Sequence, residues 1–229
     1  RARAIVADAV GNIYVSVDGG HYDGTDEHRI WKMRASDGAV LATCRLSHEP
    51  YGLATDGTSL YTTTGLSTRW LEDETWEGSV WRFDSSLTPQ WVYHPGTDYA
   101  TIVGPHRGGQ IIYYSGKVYV TCPPVGVSYQ NMNNLFELDA ASGSLLRTWQ
   151  SPEFRQYESI AAGNGLLAAV PVYHHQNFDG TPFDLRLIDL ATGTMHNALV
   201  GQYLPLYGYV SNLNYVAYNP ADGCFYLVT

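Results

Sequence analysis

Lysine is almost missing from this chain: Lys32 and Lys117 are its only two in 229 residues, and charged residues amount to 15%, against about a quarter in an average globular protein. The net charge is −9, which argues against a nucleic-acid partner, because neutralising a phosphate backbone takes a basic surface. No stretch approaches the roughly 18 consecutive apolar residues of a membrane-spanning helix, and none carries helical periodicity. The three cysteines, Cys44, Cys122 and Cys224, lack metal-ligand spacing, and any disulfide leaves one of them over; they read as thiols packed within strands. There is no Asn-x-Ser/Thr acceptor, no phosphate loop, no dinucleotide fingerprint and no serine-nucleophile elbow. Residues 1–10 have no apolar core of the kind a signal peptide needs, and the sequence opens without Met on a strand-like Ala4-Ile5-Val6-Ala7. It reads as starting inside a longer polypeptide.

Aromatics, by contrast, are plentiful, with 18 Tyr and 6 Trp, a mixture that suits the pleated faces of sheets. They recur in a pattern. A Gly-containing turn followed by a strand appears as Gly11-Asn12-Ile13-Tyr14-Val15, Gly57-Thr58-Ser59-Leu60-Tyr61, Gly116-Lys117-Val118-Tyr119-Val120, Gly165-Leu166-Leu167 and Gly223-Cys224-Phe225-Tyr226-Leu227, at spacings of 46, 59, 49 and 58 residues. Between these lie alternating segments, Trp31-Lys32-Met33-Arg34, Trp81-Arg82-Phe83-Asp84, Phe136-Glu137-Leu138-Asp139 and the less regular Arg186-Leu187-Ile188-Asp189. Apolar–polar alternation marks a strand with one buried face. Each is followed by a short turn and a fourth strand, as in residues 39–46 and 144–150.

A unit of four strands repeating at this period predicts an all-β fold, a β-propeller of four-stranded blades. The blade units fall at about 4–47, 51–94, 110–151 and 158–201, with a partial fifth at 215–229. The first strand of each is rich in small residues (4–8, 52–56, 160–163), which suits the crowded axis where blades converge. Trp31, Trp81 and Phe136 should take equivalent places, buried between neighbouring sheets. Four blades and half of a fifth predict part of a larger ring of six to eight, the remaining blades coming from the same or another chain.

Residues 50–57, running into Leu60-Tyr61, resemble the start of an NHL- or YVTN-type propeller repeat. Residues 115–120, continuing to Leu135-Phe136-Glu137-Leu138-Asp139-Ala140-Ala141-Ser142-Gly143, resemble a blade of the quinoprotein-like (pyrroloquinoline quinone type) propellers, and residues 187–193 repeat its second half. The resemblance implies architecture and not activity. Quinoprotein dehydrogenase blades place a docking Trp four residues after the turn glycine, where this sequence offers Ala42, Val92, Arg147 and Asn197; the adjacent-cysteine pair of those enzymes is also absent. No cofactor is firmly implied.

In such a blade the turns between first and second and between third and fourth strands share one face, and here they are short. The opposite face receives the long segments 16–28, 62–78, 122–134 and 171–184. Long loops gathered on one face of a rigid scaffold are where binding residues usually sit. Tyr22, Trp70, Trp76, Tyr129, Phe178 and His174 are the candidate ligand-binding residues there, since aromatic rings offer apolar faces with polar tips to a protein or glycan. His21-Tyr22-Asp23-Gly24-Thr25 and Asn177-Phe178-Asp179-Gly180-Thr181 share an aromatic-Asp-Gly-Thr core, and Asp23, Asp26, Asp179 and Asp184 make Ca²⁺ the one metal to consider. Asp-Gly is also a common turn pair. His48, His94 and His106 lie in blade-to-blade connections near the same rim. The leading expectation is a non-catalytic binding or scaffold module, extracellular or periplasmic, that engages a protein or glycan through its long-loop face. Its rivals are a metal- or His/carboxylate-dependent enzyme acting on carbohydrate and, further down, a quinone-dependent dehydrogenase.

Overall fold

Each of the first four repeats folds into one antiparallel sheet whose strands follow chain order. The computed structural model describes residues 2–17, 28–46, 48–64, 79–94, 109–121, 133–150, 156–172, 185–198 and 215–228. The first blade consists of β1 (Ala2–Ala7), β2 (Asn12–Val17), β3 (Arg29–Arg34) and β4 (Val40–Arg45). The second consists of β5 (Pro50–Thr55), β6 (Leu60–Thr64), β7 (Ser79–Phe83) and β8 (Pro89–Tyr93). The third has β9 (Ile111–Tyr114), β10 (Lys117–Thr121), β11 (Asn133–Asp139) and β12 (Leu145–Gln150), and the fourth β13 (Gln156–Gly163), β14 (Leu166–Val172), β15 (Arg186–Asp189) and β16 (Met195–Asn197). A two-stranded sheet of β17 (Tyr215–Asn219) and β18 (Cys224–Val228) starts a fifth.

The first strands lie against one another in the series β1, β5, β9, β13, β17, so they are the inner ones and the chain is a β-propeller; small residues mark β1, β5 and β13, whereas β9 is Ile111-Ile112-Tyr113-Tyr114. Between blades the cores are apolar. Tyr14, Ile30 and Leu46 of the first blade pack against Leu60, Phe83 and Leu87 of the second. Ala54, Tyr61 and Val80 of the second meet Ile111, Val118, Val120 and Phe136 of the third. Tyr119, Leu135 and Trp149 then meet Ile160, Leu167 and Ile188, and Ala168 and Val170 meet Val216 with Tyr218, Phe225 and Leu227. A middle blade is therefore covered on both faces, and β6 is buried along its whole length. Burying each such side chain contributes about 1.5–3 kcal/mol.

Trp31, Trp81 and Phe136 do occupy equivalent places, opposite Val15, Thr62 and Val120 in the neighbouring strands. Their burial differs from expectation. Phe136 is buried and Trp81 half-buried, stacked on Phe83 at 6.0 Å between ring centroids, but Trp31 is 37% exposed. The reason is its blade: Trp31 lies on the face of the first sheet turned away from the second, and no other described sheet covers that face.

The docking of one blade on the next also corrects the sequence reading. The turn after β7 has no glycine, and its left-handed residue is Leu87 (φ 63°), at the place held by Gly38, Gly143 and Gly193 in the other blades. Counting four residues from Leu87 reaches Trp91, not Val92. The Trp91 indole docks on the turn of the third blade, its Nε1 donating to the Ala140 carbonyl at 3.2 Å. In the next blade Arg147 holds that position, and its Nη1 donates to the Leu190 carbonyl at 3.4 Å; nearby, Trp149 Nε1 donates to the Gly193 carbonyl at 2.9 Å. Strand three adds a second latch. Lys32 Nζ donates to the Ser85 carbonyl at 2.7 Å and Arg82 Nη1 to the Ala141 carbonyl at 3.0 Å, each reaching the next blade's turn. Glu137 takes this place in the third blade and has no donor to offer; it is buried, and Lys117 and Arg147 flank it as ion-pair partners.

Candidate functional site

The short-turn end of the propeller is closed by its own carboxylates. Asp139 Oδ1 accepts the Ala141 and Ser142 N–H groups at 3.1 and 2.8 Å, and Asp189 Oδ1 accepts those of Ala191 and Thr192 at 2.9 and 2.8 Å. Asp84 does the same for Ser86 and Thr88. In the inner hairpins the carboxylate also reaches the tyrosine of the following strand. Asp8 Oδ2 accepts Tyr14 OH at 3.2 Å, Asp56 Oδ2 accepts Tyr61 OH at 2.8 Å, and Asp222 accepts Tyr226 OH. Burial alone would raise Asp56, but N–H donors from Ser59 and Thr58 and the Tyr61 and Thr58 hydroxyls outweigh it and bring its pKa down to about 2. Burial and the adjoining Asp8 carboxylate push Tyr14 up to about 12. These acids are spent on turn geometry, so this end offers a self-contained surface.

At the opposite end the hydroxyls two residues after Tyr14 and Tyr61 tie successive blades together, and the one after Tyr119 binds within its own blade. Ser16 Oγ accepts Ala4 N–H at 2.9 Å and donates to the Tyr51 carbonyl at 3.4 Å. Thr63 Oγ1 accepts Gly52 N–H at 3.1 Å and donates to the Gly109 carbonyl at 2.8 Å, and Thr121 Oγ1 accepts Gln110 N–H at 2.8 Å. The first- and second-blade inner strands are bulged where these hydroxyls act, which turns a backbone donor sideways into reach. The fourth blade has Val170 in place of the hydroxyl; there Gln110 Oε1 accepts Ile160 N–H at 2.8 Å and Ser159 Oγ accepts Val216 N–H at 2.9 Å.

Among the described residues the same rim carries a buried carboxylate. Glu49, 1% exposed, accepts Tyr51 OH at 2.8 Å and lies 3.8 Å from Arg3 Nη2, while the Arg3 guanidinium stands 5.4 Å from the centre of the Tyr51 ring. Sequence reasoning passed over this trio because Arg3 and Glu49 are far apart in the chain and belong to no motif; only their placement just before or at the start of inner strands hinted at it.

The sequence-derived candidates Tyr22, Trp70, Trp76, Tyr129, Phe178 and His174, and the carboxylates Asp23, Asp26, Asp179 and Asp184, lie outside the described residues, as do His106 and Cys122. Their roots are described. The segments 18–27, 65–78, 122–132 and 173–184 each join the second strand of a blade to its third, and antiparallel pairing puts the strand ends flanking all four at the rim of Ser16, Thr63 and Glu49. The root of 65–78 is firm: Thr64 and Ser79 are buried, with hydroxyl oxygens 3.3 Å apart and Ser79 N–H donating to Thr64 Oγ1 at 3.2 Å. His28, at the root of 18–27, is buried. His48 and His94 stand in separate connections, and among the described residues no three His, Cys, Asp or Glu side chains gather into a metal-binding group.

These features define a β-propeller with one self-closed end and, opposite it, one end that gathers the strand ends flanking its long segments. Comparison with solved structures agrees on the class: the chain is similar to the crystal structure of BamB from Moraxella catarrhalis, with a TM-score of 0.55 and 13% identity over 84% of this chain and 51% of that one. This chain thus spans about half the length of that protein, and the likeness is one of fold. No family model matches the sequence, and no curated protein does.

Proposed function

We propose that this propeller is a non-catalytic binding module that holds a protein or glycan surface against its long-loop rim, and that it works outside the cytoplasm, in an extracellular or periplasmic setting. One observation carries the reading: the four long segments root on one rim, while the other rim uses its carboxylates and turn amides on itself. The rim is stiff at its base because the Ser16 and Thr63 hydroxyls bridge successive inner strands, and a stiff base lowers the entropy lost when loops engage a partner. Binding energy then concentrates in a few aromatic anchors, Tyr22, Trp70, Trp76, Tyr129 and Phe178, with His174 beside them. The surrounding acids Asp23, Asp26 and Asp179 set on-rate and salt dependence.

Selection of a random displayed-peptide library on the chain, alongside a glycan array, tests this. Ligands enriched on the unaltered chain should lose binding to the Trp70→Ala and Trp76→Ala variants while the unfolding transition stays in place. Ligands that ignore both substitutions, yet fail on Ser142→Arg at the other end, would put binding on the short-turn surface instead.

A further inference from the structure

The sequence contains a single Asn-Gly pair, Asn164-Gly165, and it forms the whole loop of the fourth blade's inner hairpin. Gly163 pairs with Leu166 across it, and both loop residues are left-handed, with φ 51° at Asn164 and 74° at Gly165. A two-residue hairpin turn asks for this conformation, and Asn-Gly meets it well. Ser115-Gly116 fills the same loop in the third blade, with Ser115 also at φ 51°. Either Ser or Asn therefore satisfies the turn, but only Asn brings a side chain that reacts with its own backbone. Both residues of the fourth-blade loop are exposed, and both neighbouring sheets grip it. Gly165 N–H donates to Tyr114 OH of the third blade at 3.1 Å. On the other side Asn164 Nδ2 donates to the Gly223 carbonyl at 3.4 Å, and the Tyr218 ring lies against Gly163 with no room for a Cβ.

We propose that Asn164 is a modification site, where the side-chain amide is lost to water to give aspartate and isoaspartate, and that the Tyr114 hydroxyl restrains the reaction. The nucleophile is the Gly165 backbone nitrogen. Once hydroxide has taken its proton, it attacks Cγ of Asn164; the N–Cγ bond forms, the Cγ–Nδ2 bond breaks, and ammonia leaves after taking a proton from water. Water then opens the cyclic imide at either carbonyl, giving aspartate or isoaspartate. Glycine favours ring closure because it has no side chain to hinder it. In the folded turn that nitrogen's proton is donated to Tyr114 OH, and the strands paired on each side keep the peptide from turning towards Cγ. The reaction therefore proceeds from the opened turn, and breaking the Tyr114 bond is part of that local opening. Either product removes the Nδ2 donor and sets a carboxylate beside the Gly223 carbonyl, which loosens the link between the fourth and fifth sheets. Isoaspartate also lengthens the backbone of a loop that has no residue to spare.

Peptide mapping by mass spectrometry, with isoaspartyl methyltransferase labelling, tests this on the full chain held in mildly alkaline buffer. In denaturant Asn164 should lose its amide before any other asparagine, and folding should slow that loss. Tyr114→Phe keeps the ring but removes the acceptor, and should speed the loss in the folded chain about fivefold, as expected for one hydrogen bond. In denaturant Tyr114→Phe and the unaltered chain should react alike, which separates the restraint from intrinsic reactivity. Asn164→Ser, which copies the third blade's loop, should fold and abolish labelling at this position. Should Tyr114→Phe fail to fold, the unaltered chain compared folded and denatured still decides. Equal rates in those two states, a folded rate indifferent to Tyr114→Phe, or another asparagine reacting first in denaturant would each overturn the proposal.

Discussion

A Cβ added to Gly143 would stand 2.7 Å from Cδ2 of Trp91, so the third blade's turn and the second blade's indole share a contact with no room for a methyl group. Gly143 also has φ 73°, a conformation that side chains resist. The Gly143→Ala substitution should therefore destabilise by about 2–4 kcal/mol in the native background and by about 1 kcal/mol when Trp91 is already Ala. A double-mutant cycle in denaturant reads this coupling directly, and additive effects would mean that the indole does not rest on the turn.

Leu87 permits a test with an inverted order. Its side chain is buried between the first two blades, yet its backbone is left-handed. Leu87→Ala should cost about 2–5 kcal/mol through lost packing. Leu87→Gly removes the same side chain but relieves the backbone, and should be more stable than Leu87→Ala by about 0.5–1 kcal/mol. In an ordinary strand glycine would be the worse of the two.

These two positions also show what was legible in the sequence. The blade repeat and the order of strands followed from turn glycines and period-two alternation, and the inner place of the first strand from small residues in three of the blades, because these signals are local. The docking position of the second blade was set one residue too far, at Val92, and its tryptophan missed, because a leucine occupies a glycine position that only backbone φ identifies. Exposure of Trp31 was equally hidden: its own strand is like that of Trp81, and what differs is the presence of a neighbouring sheet. The Arg3–Glu49–Tyr51 group depends on two inner strands meeting, which no local pattern encodes.

Protonation should weaken the second blade's inner hairpin. Asp56 has its folded pKa depressed to about 2, below the roughly 3.9 of a free aspartate. Its contribution is thus fully present above about pH 4 and is lost as pH falls from there towards 2. The group is only partly buried, so solvent screening holds the effect to about 1 kcal/mol. Chemical denaturation between pH 5 and 2 should show a shallower loss of stability in Asp56→Asn than in the unaltered chain. Equal slopes would show that the carboxylate does not hold the turn.

The hydroxyl bridge at the loop rim makes a further prediction. Thr63→Val keeps the shape but removes the acceptor for Gly52 N–H and the donor to the Gly109 carbonyl. It should cost about 1–3 kcal/mol, the penalty for leaving buried backbone groups unmatched, and Thr63→Ser should recover most of that loss. Amide exchange at Gly52 should accelerate in the valine variant, and unchanged exchange there would contradict the bridge.

The most direct measurement of the account is hydrogen–deuterium exchange on the full chain with and without a peptide selected against it. Binding at the long-loop rim predicts slowed exchange in residues 18–27, 65–78, 122–132 and 173–184, with the turns at 84–88, 139–144 and 189–194 unchanged. Slowed exchange confined to those turns, with the long segments unaffected, would contradict it.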